Sequence, residues 1–319
     1  EILEILKKKA NEGIKVIIIY DDYGSSGLPY RYTKTLETYG IEAYNFNPMK
    51  PHLNFQMNYR NHRKIVVIDG KIGYTGGINI GDEYINLIHP FGHWQDAGIK
   101  LEGEAVHSLY LGFMDLLRFH TKDQIQINYK PKYVANFKSD SIVIPFFDAP
   151  LDKEYTTKNI YMQMIHNATT SIDIASPYLI LDYELTTALK FAAASGVEIN
   201  IIIPFIPDKR IVYMVSESYA KELSQAGIHV YKYKPGFIHS KMMIVDQKEA
   251  LIGTVNLDYR SLYLHFENSV YLKNDPSIFS MKEHFEDLID QSVNMDTLKN
   301  PNLIYRFLQI LLKGFSSIL

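Results

Sequence analysis

The sequence contains no cysteine, which excludes disulfide staples, thiol nucleophiles and Cys-ligated zinc. No apolar run approaches the roughly 20 residues that a membrane-spanning helix requires. Neither charge is in marked excess: 33 Lys and Arg stand against 36 Asp and Glu, a net charge of −3. A protein dedicated to phosphate backbones draws its affinity from a Lys/Arg surplus, so this balance speaks against nucleic acid as a partner. An initiator methionine and a signal-like segment are also missing, because Glu1 leads straight into Ile2, Leu3, Ile5 and Leu6. That opening reads as a fragment from which an N-terminal part has been removed.

What is present is 319 residues of ordinary globular composition, 46% hydrophobic and 22% charged, enough for two domains or one duplicated unit. A repeat runs through it. Gly13 precedes a β-branched run from Ile14 to Tyr20, and Gly196 precedes a matching run from Val197 to Ile203. Each run is followed by a helical stretch, a Gly (Gly40, Gly227), a second strand and a Pro (Pro48, Pro235). Such continuous Ile/Val runs read as strands buried on both faces. With amphipathic helices at 161–168 and 185–194, they predict an α/β fold of two similar α/β/α units, pseudo-twofold related and facing each other. The boundary is expected within 128–152, where Pro131, Pro145 and Pro150 interrupt a polar stretch. The predicted units are 1–140 and 141–300, followed by a C-terminal amphipathic helix at 301–319.

Each half carries His-x-Lys-x4-Asp: His62, Lys64 and Asp69, then His239, Lys241 and Asp246. The apolar middle of each motif predicts a strand, and alternation along it places His and Lys on one face. The Asp falls at an odd offset from the His, on the other face or in a turn, and is read as structural. Taking Gly70-Lys71 and Gln247-Lys248 as two-residue turns sets His62 opposite Asn79, Lys64 opposite Gly77, His239 opposite Asn256 and Lys241 opposite Thr254. Each half would then offer an imidazole, a fixed positive charge, an amide and a small residue on one patch. Such a set suits a phosphodiester, whose transfer depends on positioning and charge stabilisation. Each imidazole also needs a partner on its second nitrogen. Asp96 is the acid expected for His62, and Glu267 the acid expected for His239. His89, His93 and Asp96 have a helical metal-ligand spacing, but Pro90 and Gly92 break any such helix, so no metal is expected there. His93 is retained as an accessory near the site.

Together these residues resemble the phospholipase D superfamily, whose signature is two His/Lys motifs each trailed by a small-residue stretch and Asn. Within it the chain is most similar to bacterial cardiolipin synthases, through Asn61 to Asp69, Thr75 to Asn79, His93 to Asp96, Pro235 to Lys241, Gly253 to Ser261 and Phe266 to Asn268. The match extends over nearly the whole chain in the right order.

The resemblance implies a duplicated phospholipase D-like fold with one shared active site and a covalent two-step reaction. His62 would attack phosphatidylglycerol to give a phosphatidyl-histidine. His239 would protonate the departing glycerol and then activate a second phosphatidylglycerol, giving cardiolipin. Lys64, Lys241, Asn79 and Asn256 would hold the phosphate oxygens. No metal or other cofactor is implied. The implied setting is a bacterial cell membrane, at its cytoplasmic face, with the lipid surface as partner. The hydrophobic N-terminal segments usual in this group are not in the sequence.

Hydrolysis, transfer to another alcohol such as serine, nuclease action or an inactive lipid-binding scaffold are the competing functions. Two further features have two readings each. In residues 303–319 the polar positions Arg306, Gln309, Lys313 and Ser316 form one stripe of a helix with a broad apolar face. That helix either lies on a bilayer or packs on its own domain. Lys7, Lys8 and Lys9 read as a solvated helix face before an anionic-lipid contact.

Overall fold

The computed structural model describes residues 1–48, 58–121, 140–299 and 301–318. Residues 128–139 of the expected boundary segment therefore lie outside the described residues, as does Leu319. The first half runs α1 (Ile2–Asn11), β1 (Ile17–Asp21), α2 (Tyr32–Glu37), β2 (Glu42–Phe46), β3 (Arg60–Asn61), β4 (Ile65–Ile68), β5 (Ile72–Gly76), β6 (His93–Gln95), β7 (Gly98–Glu102) and α3 (Ala105–Thr121). The second half opens with β8 (Ile142–Asp148), α4 (Thr156–Asn167), β9 (Ser171–Ala175), α5 (Tyr183–Ala194), β10 (Glu198–Pro204), α6 (Arg210–Ser224), β11 (His229–Tyr233) and β12 (Gly236–Ile238). It continues with β13 (Met242–Val245), β14 (Glu249–Gly253), α7 (Tyr259–Tyr263), β15 (His265–Lys273), α8 (Ser277–Asp290), β16 (Ser292–Asn294) and α9 (Leu303–Lys313).

The repeat is visible in the element order: β1-α2-β2-β3-β4-β5 recurs as β10-α6-β11-β12-β13-β14. A nine-stranded sheet runs β16-β11-β10-β9-β13-β14-β15-β3, with β8 added alongside β15. Along β10, Ile199, Ile201 and Ile203 enter a core under the helices of one face, while Ile202 enters the core of the other. This period-two division is what a strand buried on both sides requires. The second core joins the halves, because Leu101, Val106 and Leu109 pack in it with Val270 and Leu272.

The halves differ where the sequence reads alike. In the second, β9 lies between β10 and β13 and pairs with both. Among the described residues the first half has no counterpart of β9. Its strands accordingly split into β1-β2 and β4-β5-β7. The Ile17 to Ile19 run is therefore half-buried rather than enclosed on both faces.

The hairpin registers also differ from expectation, by one residue in both copies. Ile68 pairs with Ile72 and Val245 with Glu249. The turns centre on Asp69-Gly70 and Asp246-Gln247, all four at φ between 51° and 62°, and close with Lys71 N–H to Ile68 C=O (3.0 Å) and Lys248 N–H to Val245 C=O (2.9 Å). A turn with two positive φ angles matches strand twist, and Asp tolerates that conformation better than most residues. The motif Asp thus takes the first turn position instead of ending the strand. Asp246 accepts from the backbone N–H groups of Thr169 (2.9 Å), Thr170 (2.8 Å) and Ser171 (2.9 Å), which ties the hairpin to the start of β9. Burial opposes ionisation of Asp246, but the Thr169, Ser171 and Thr170 hydrogen bonds hold its carboxyl well below the usual range.

No helix among the described residues is long and apolar enough to cross a membrane.

Candidate active site

His62 and Lys64 lie just ahead of β4, and His239 and Lys241 just ahead of β13. Both histidines are fixed by strands that cross between the halves. β3 pairs in parallel with the start of β15, so Arg60 lies against His265 and Asn61 against Phe266. His62 N–H then donates to Phe266 C=O at 2.9 Å, and the next residue of β15 is Glu267. The second crossing mirrors the first: β12 pairs in parallel with β6, Phe237 against Trp94 and Ile238 against Gln95. His239 N–H donates to Gln95 C=O at 2.6 Å, and the next residue is Asp96.

The acid partners are consequently exchanged relative to expectation. His62 Nδ1 lies 2.9 Å from both Glu267 oxygens, and His239 Nδ1 lies 2.6 Å from Asp96 Oδ2. Each imidazole takes its acid from the other half, because the crossing strands deliver it there. A carboxylate only accepts, so each Nδ1 carries the proton and each Nε2 is left with a lone pair. Glu267 is fully buried and also receives Thr254 Oγ1 at 2.5 Å. Burial alone would raise its carboxyl, but His62 and His265 beside it hold it well below the usual range.

His62 keeps 24% of its side chain open, whereas His239 keeps 9%. Both sit deep enough that burial lowers their pKa, His62 to about 3 and His239 to about 4, and Lys64 and Lys241 respectively add to the effect. Burial likewise lowers Lys64 to about 8 and Lys241 to about 7. Lys64 acts electrostatically on both His239 and Lys241, so the two motifs form one centre. Lys64 Nζ donates to His62 C=O at 2.9 Å, and Lys241 Nζ to His239 C=O at 2.5 Å.

The expected amide positions fall differently. The β4-β5 ladder ends at Ile65 and Thr75, so Asn79 does not face His62 across it. Instead Asn79 Nδ2 donates to the Tyr84 hydroxyl at 2.5 Å, and the Tyr84 ring stands edge-on to His239 at 5.4 Å. Asn256 is 6% exposed, and its buried Oδ1 has no hydrogen-bond partner among the described residues; Ser240 Oγ, between the second His and Lys, shares that state.

Gly77 has a different use from the one expected. A Cβ there would stand 2.1 Å from Asp96 Oδ1, so the missing side chain is what admits that carboxylate. His89 and His93 are exposed, and His93 Nδ1 lies 3.0 Å from the Tyr233 hydroxyl, so neither joins Asp96 in a ligand set. Sequence reasoning missed Tyr84, and it missed His265, whose ring lies 5.6 Å from His62. Nothing in the motif spacing marks either one. His62, His265 and Glu267 are the group among the described residues whose ligand atoms, all within 4.8 Å of one another, could hold a metal ion.

Two imidazoles with oriented Nδ1–H groups stand with half-buried Lys64 and buried Lys241 on a duplicated α/β scaffold, the arrangement of a phospholipase D-like domain. The fold agrees with this: the chain superposes on phosphatidylserine synthase from Haemophilus influenzae with a TM-score of 0.72 at 16% identity, covering 99% of this chain and 83% of that one. The family described as "Cardiolipin synthase, PLD-like domain" matches residues 1–91 and 161–289, and the chain belongs to it. It is 41% identical to a cardiolipin synthase of Halalkalibacterium halodurans over 97% of its own length and 62% of that protein's. It is 40% identical to an uncharacterized protein of Streptococcus mutans, covering 98% of this chain and 68% of that one. Against cardiolipin synthase 2 of Bacillus cereus, 41% identity covers 92% of this chain and 57% of the relative. The chain thus spans 57–68% of the length of these relatives.

Proposed function

We propose that the chain is the catalytic part of a cardiolipin synthase, transferring a phosphatidyl group from one phosphatidylglycerol to another at the cytoplasmic face of a bacterial membrane. Units 1–140 and 141–300 each supply half of the centre, and 301–319 is an appended helix. The observation that carries the reading is the pair of imidazoles whose Nδ1–H groups are committed to acids 2.9 Å and 2.6 Å away, which leaves Nε2 of each for chemistry. Family membership supports the choice of lipid.

His62 Nε2 attacks phosphorus, and the P–O bond to the headgroup glycerol breaks as that oxygen takes a proton from His239. The phosphatidyl-histidine is then attacked by the hydroxyl of a second phosphatidylglycerol. That hydroxyl gives its proton to His239, the P–N bond breaks, and cardiolipin and free glycerol result. Burial and Lys241 hold His239 low in the empty centre. A bound phosphodiester opposes both by its negative charge, and Asp96 stabilises the imidazolium. Lys64 and Lys241 balance the charge that builds on the phosphoryl oxygens, and Asn256 contributes its amide there. The partly open His62 suits the nucleophile that a bulky lipid must reach. Asp69 and Asp246 keep the hairpins in shape.

Incubation with phosphatidylglycerol in mixed micelles tests the reaction: a four-chain lipid with free glycerol is the expected product. Phosphatidic acid alone would replace the synthase with a hydrolase. After incubation with a phosphatidyl ester of p-nitrophenol, whose leaving group needs no proton, and denaturation in detergent at neutral pH, which spares a P–N bond, His239→Ala protein is expected to retain a phosphatidyl group and His62→Ala protein to retain none. The reverse would exchange the two roles.

A further inference from the structure

Helix α9 is mounted with its polar side inward. Tyr305 Oη donates to Glu217 Oε2 on α6 at 2.7 Å, Gln309 Nε2 reaches the same oxygen at 3.4 Å, and Lys313 pairs with Glu222 while lying 4.0 Å above the Tyr219 ring. Gln309 is 8% exposed, whereas Leu303, Ile304, Phe307, Ile310, Leu311 and Phe315 are 51–81% exposed. A helix packing on its own domain buries its apolar side. This one does the opposite, so of the two readings open from sequence, simple packing on the domain does not account for its outward face.

At 100° per residue these exposed apolar positions cover an arc of about 140°, broader than the roughly 100° face that one partner element buries. A fluid apolar phase covers such an arc without needing a shaped partner. Beside the helix, Lys221, Arg306 and Lys313 line a groove between α6 and α9 together with a single acid, Glu222, which pairs with Lys313, while Lys221 lies 3.7 Å from Asp296; cations outnumber acids at this polar margin of the apolar face. Apolar side chains below and cations at headgroup level make the pattern of a helix lying in an anionic interface.

We infer that α9 seats the enzyme on an anionic phospholipid bilayer. Leu303, Ile304, Phe307, Ile310, Leu311 and Phe315 enter the acyl boundary, and Arg306 and Lys221 meet lipid phosphates. The choice of a bilayer over a protein partner rests on the phospholipid reading of the catalytic centre. The helix is bolted to α6 by hydrogen bonds and an ion pair rather than by its apolar side, so insertion requires no refolding.

The test compares the full chain with an Ile304→Ser, Phe307→Ser, Ile310→Ser variant, whose changes are all at exposed positions and leave the α6 contacts intact. Co-sedimentation with vesicles of phosphatidylcholine and phosphatidylglycerol in equal parts is expected to weaken at least about tenfold in the variant. Parent binding is expected to fall when phosphatidylglycerol is omitted or salt is raised. Turnover of monomeric short-chain phosphatidylglycerol should be unchanged by the variant. Equal vesicle binding by both proteins would overturn the inference. So would a parent dimer that the variant dissolves while vesicle binding stays the same, which would assign the face to a second copy. Because vesicle binding is read without turnover, a chain that binds vesicles but leaves monomeric phosphatidylglycerol intact would refute the catalytic reading and leave the seating surface standing.

Discussion

A histidine can attack phosphorus only with one nitrogen free, and it can hand over a proton only if the resulting charge changes are stabilised. Asp96 and Glu267 perform that service across the two halves. Replacing either by its amide leaves the shape but abolishes the charge and the imposed tautomer, so kcat should fall roughly 10²–10⁴-fold in Asp96→Asn and in Glu267→Gln. A phosphatidyl ester of p-nitrophenol separates the two, since its leaving group needs no proton. The burst of p-nitrophenol should survive in Asp96→Asn and vanish in Glu267→Gln; the opposite result would undo the crossed assignment of roles. The lysines set a further expectation. Burial lowers Lys241 to about 7 and Lys64 to about 8, and each is cationic only below its pKa. On top of the fall that the low pKa of His239 imposes on its acid form, kcat/KM should therefore show a further decline as pH rises through that interval, reporting the free enzyme. Lys241→Arg, which stays charged, should remove the lower part of the decline; a parent profile flat across it would contradict the role given to the lysines. That two acids stand behind the histidines was legible from chemistry alone. Which acid serves which histidine was not, because it follows from strand pairings of two and three residues between positions more than a hundred residues apart, and no local pattern encodes them.

At the scale of elements, the motif hairpins carry the same lesson. The β-branched runs announced β4 and β13, and the Gly70-Lys71 and Gln247-Lys248 steps announced turns, yet both turns centre one residue earlier, on Asp69-Gly70 and Asp246-Gln247. The reason is local: Asp69 and Asp246 accept positive φ, so they enter the turn rather than finish the strand. The shift leaves Gly76 and Gly253 one residue beyond the last hairpin pairs, which end at Thr75 and Ile252, and leaves Gly77 over Asp96. Gly77→Ala should displace that carboxylate from His239 and lower kcat by about 10²-fold or more, consistent with the penalty for misplacing a reacting group by an ångström. Its far-ultraviolet circular dichroism should match the parent, because the collision is with a side chain at the end of a strand. A fully active Gly77→Ala protein would show that Asp96 is not held where it matters. That the first half has no counterpart of β9 among the described residues was equally invisible, since the Ile17 to Ile19 run reads the same whether or not a strand lies beside it.

Over the whole molecule, the halves share more than a catalytic centre. The core that contains Leu101 and Leu109 also contains Val270 and Leu272, and the two strand crossings stitch across it. Such a molecule should unfold as one unit. Arg60, 7% exposed on β3, pairs with the buried Asp21, its NH2 nitrogen 2.9 Å from Oδ1, so Arg60→Ala strands a buried charge and should cost about 3–5 kcal/mol. Calorimetry should show the single heat-absorption peak moving to lower temperature. A new early peak, with the rest of the profile unmoved, would mean that the first half melts alone.

The crossed acids have a consequence on a longer timescale than folding or turnover. After a duplication, two copies usually become free to diverge, one conserving the old task while the other explores. Here a change at Asp96 is felt at His239, 143 positions away, and a change at Glu267 at His62, 205 positions away. Each copy holds the warrant for the other's function, so a lineage carrying this architecture can alter its centre only by coordinated change in both halves.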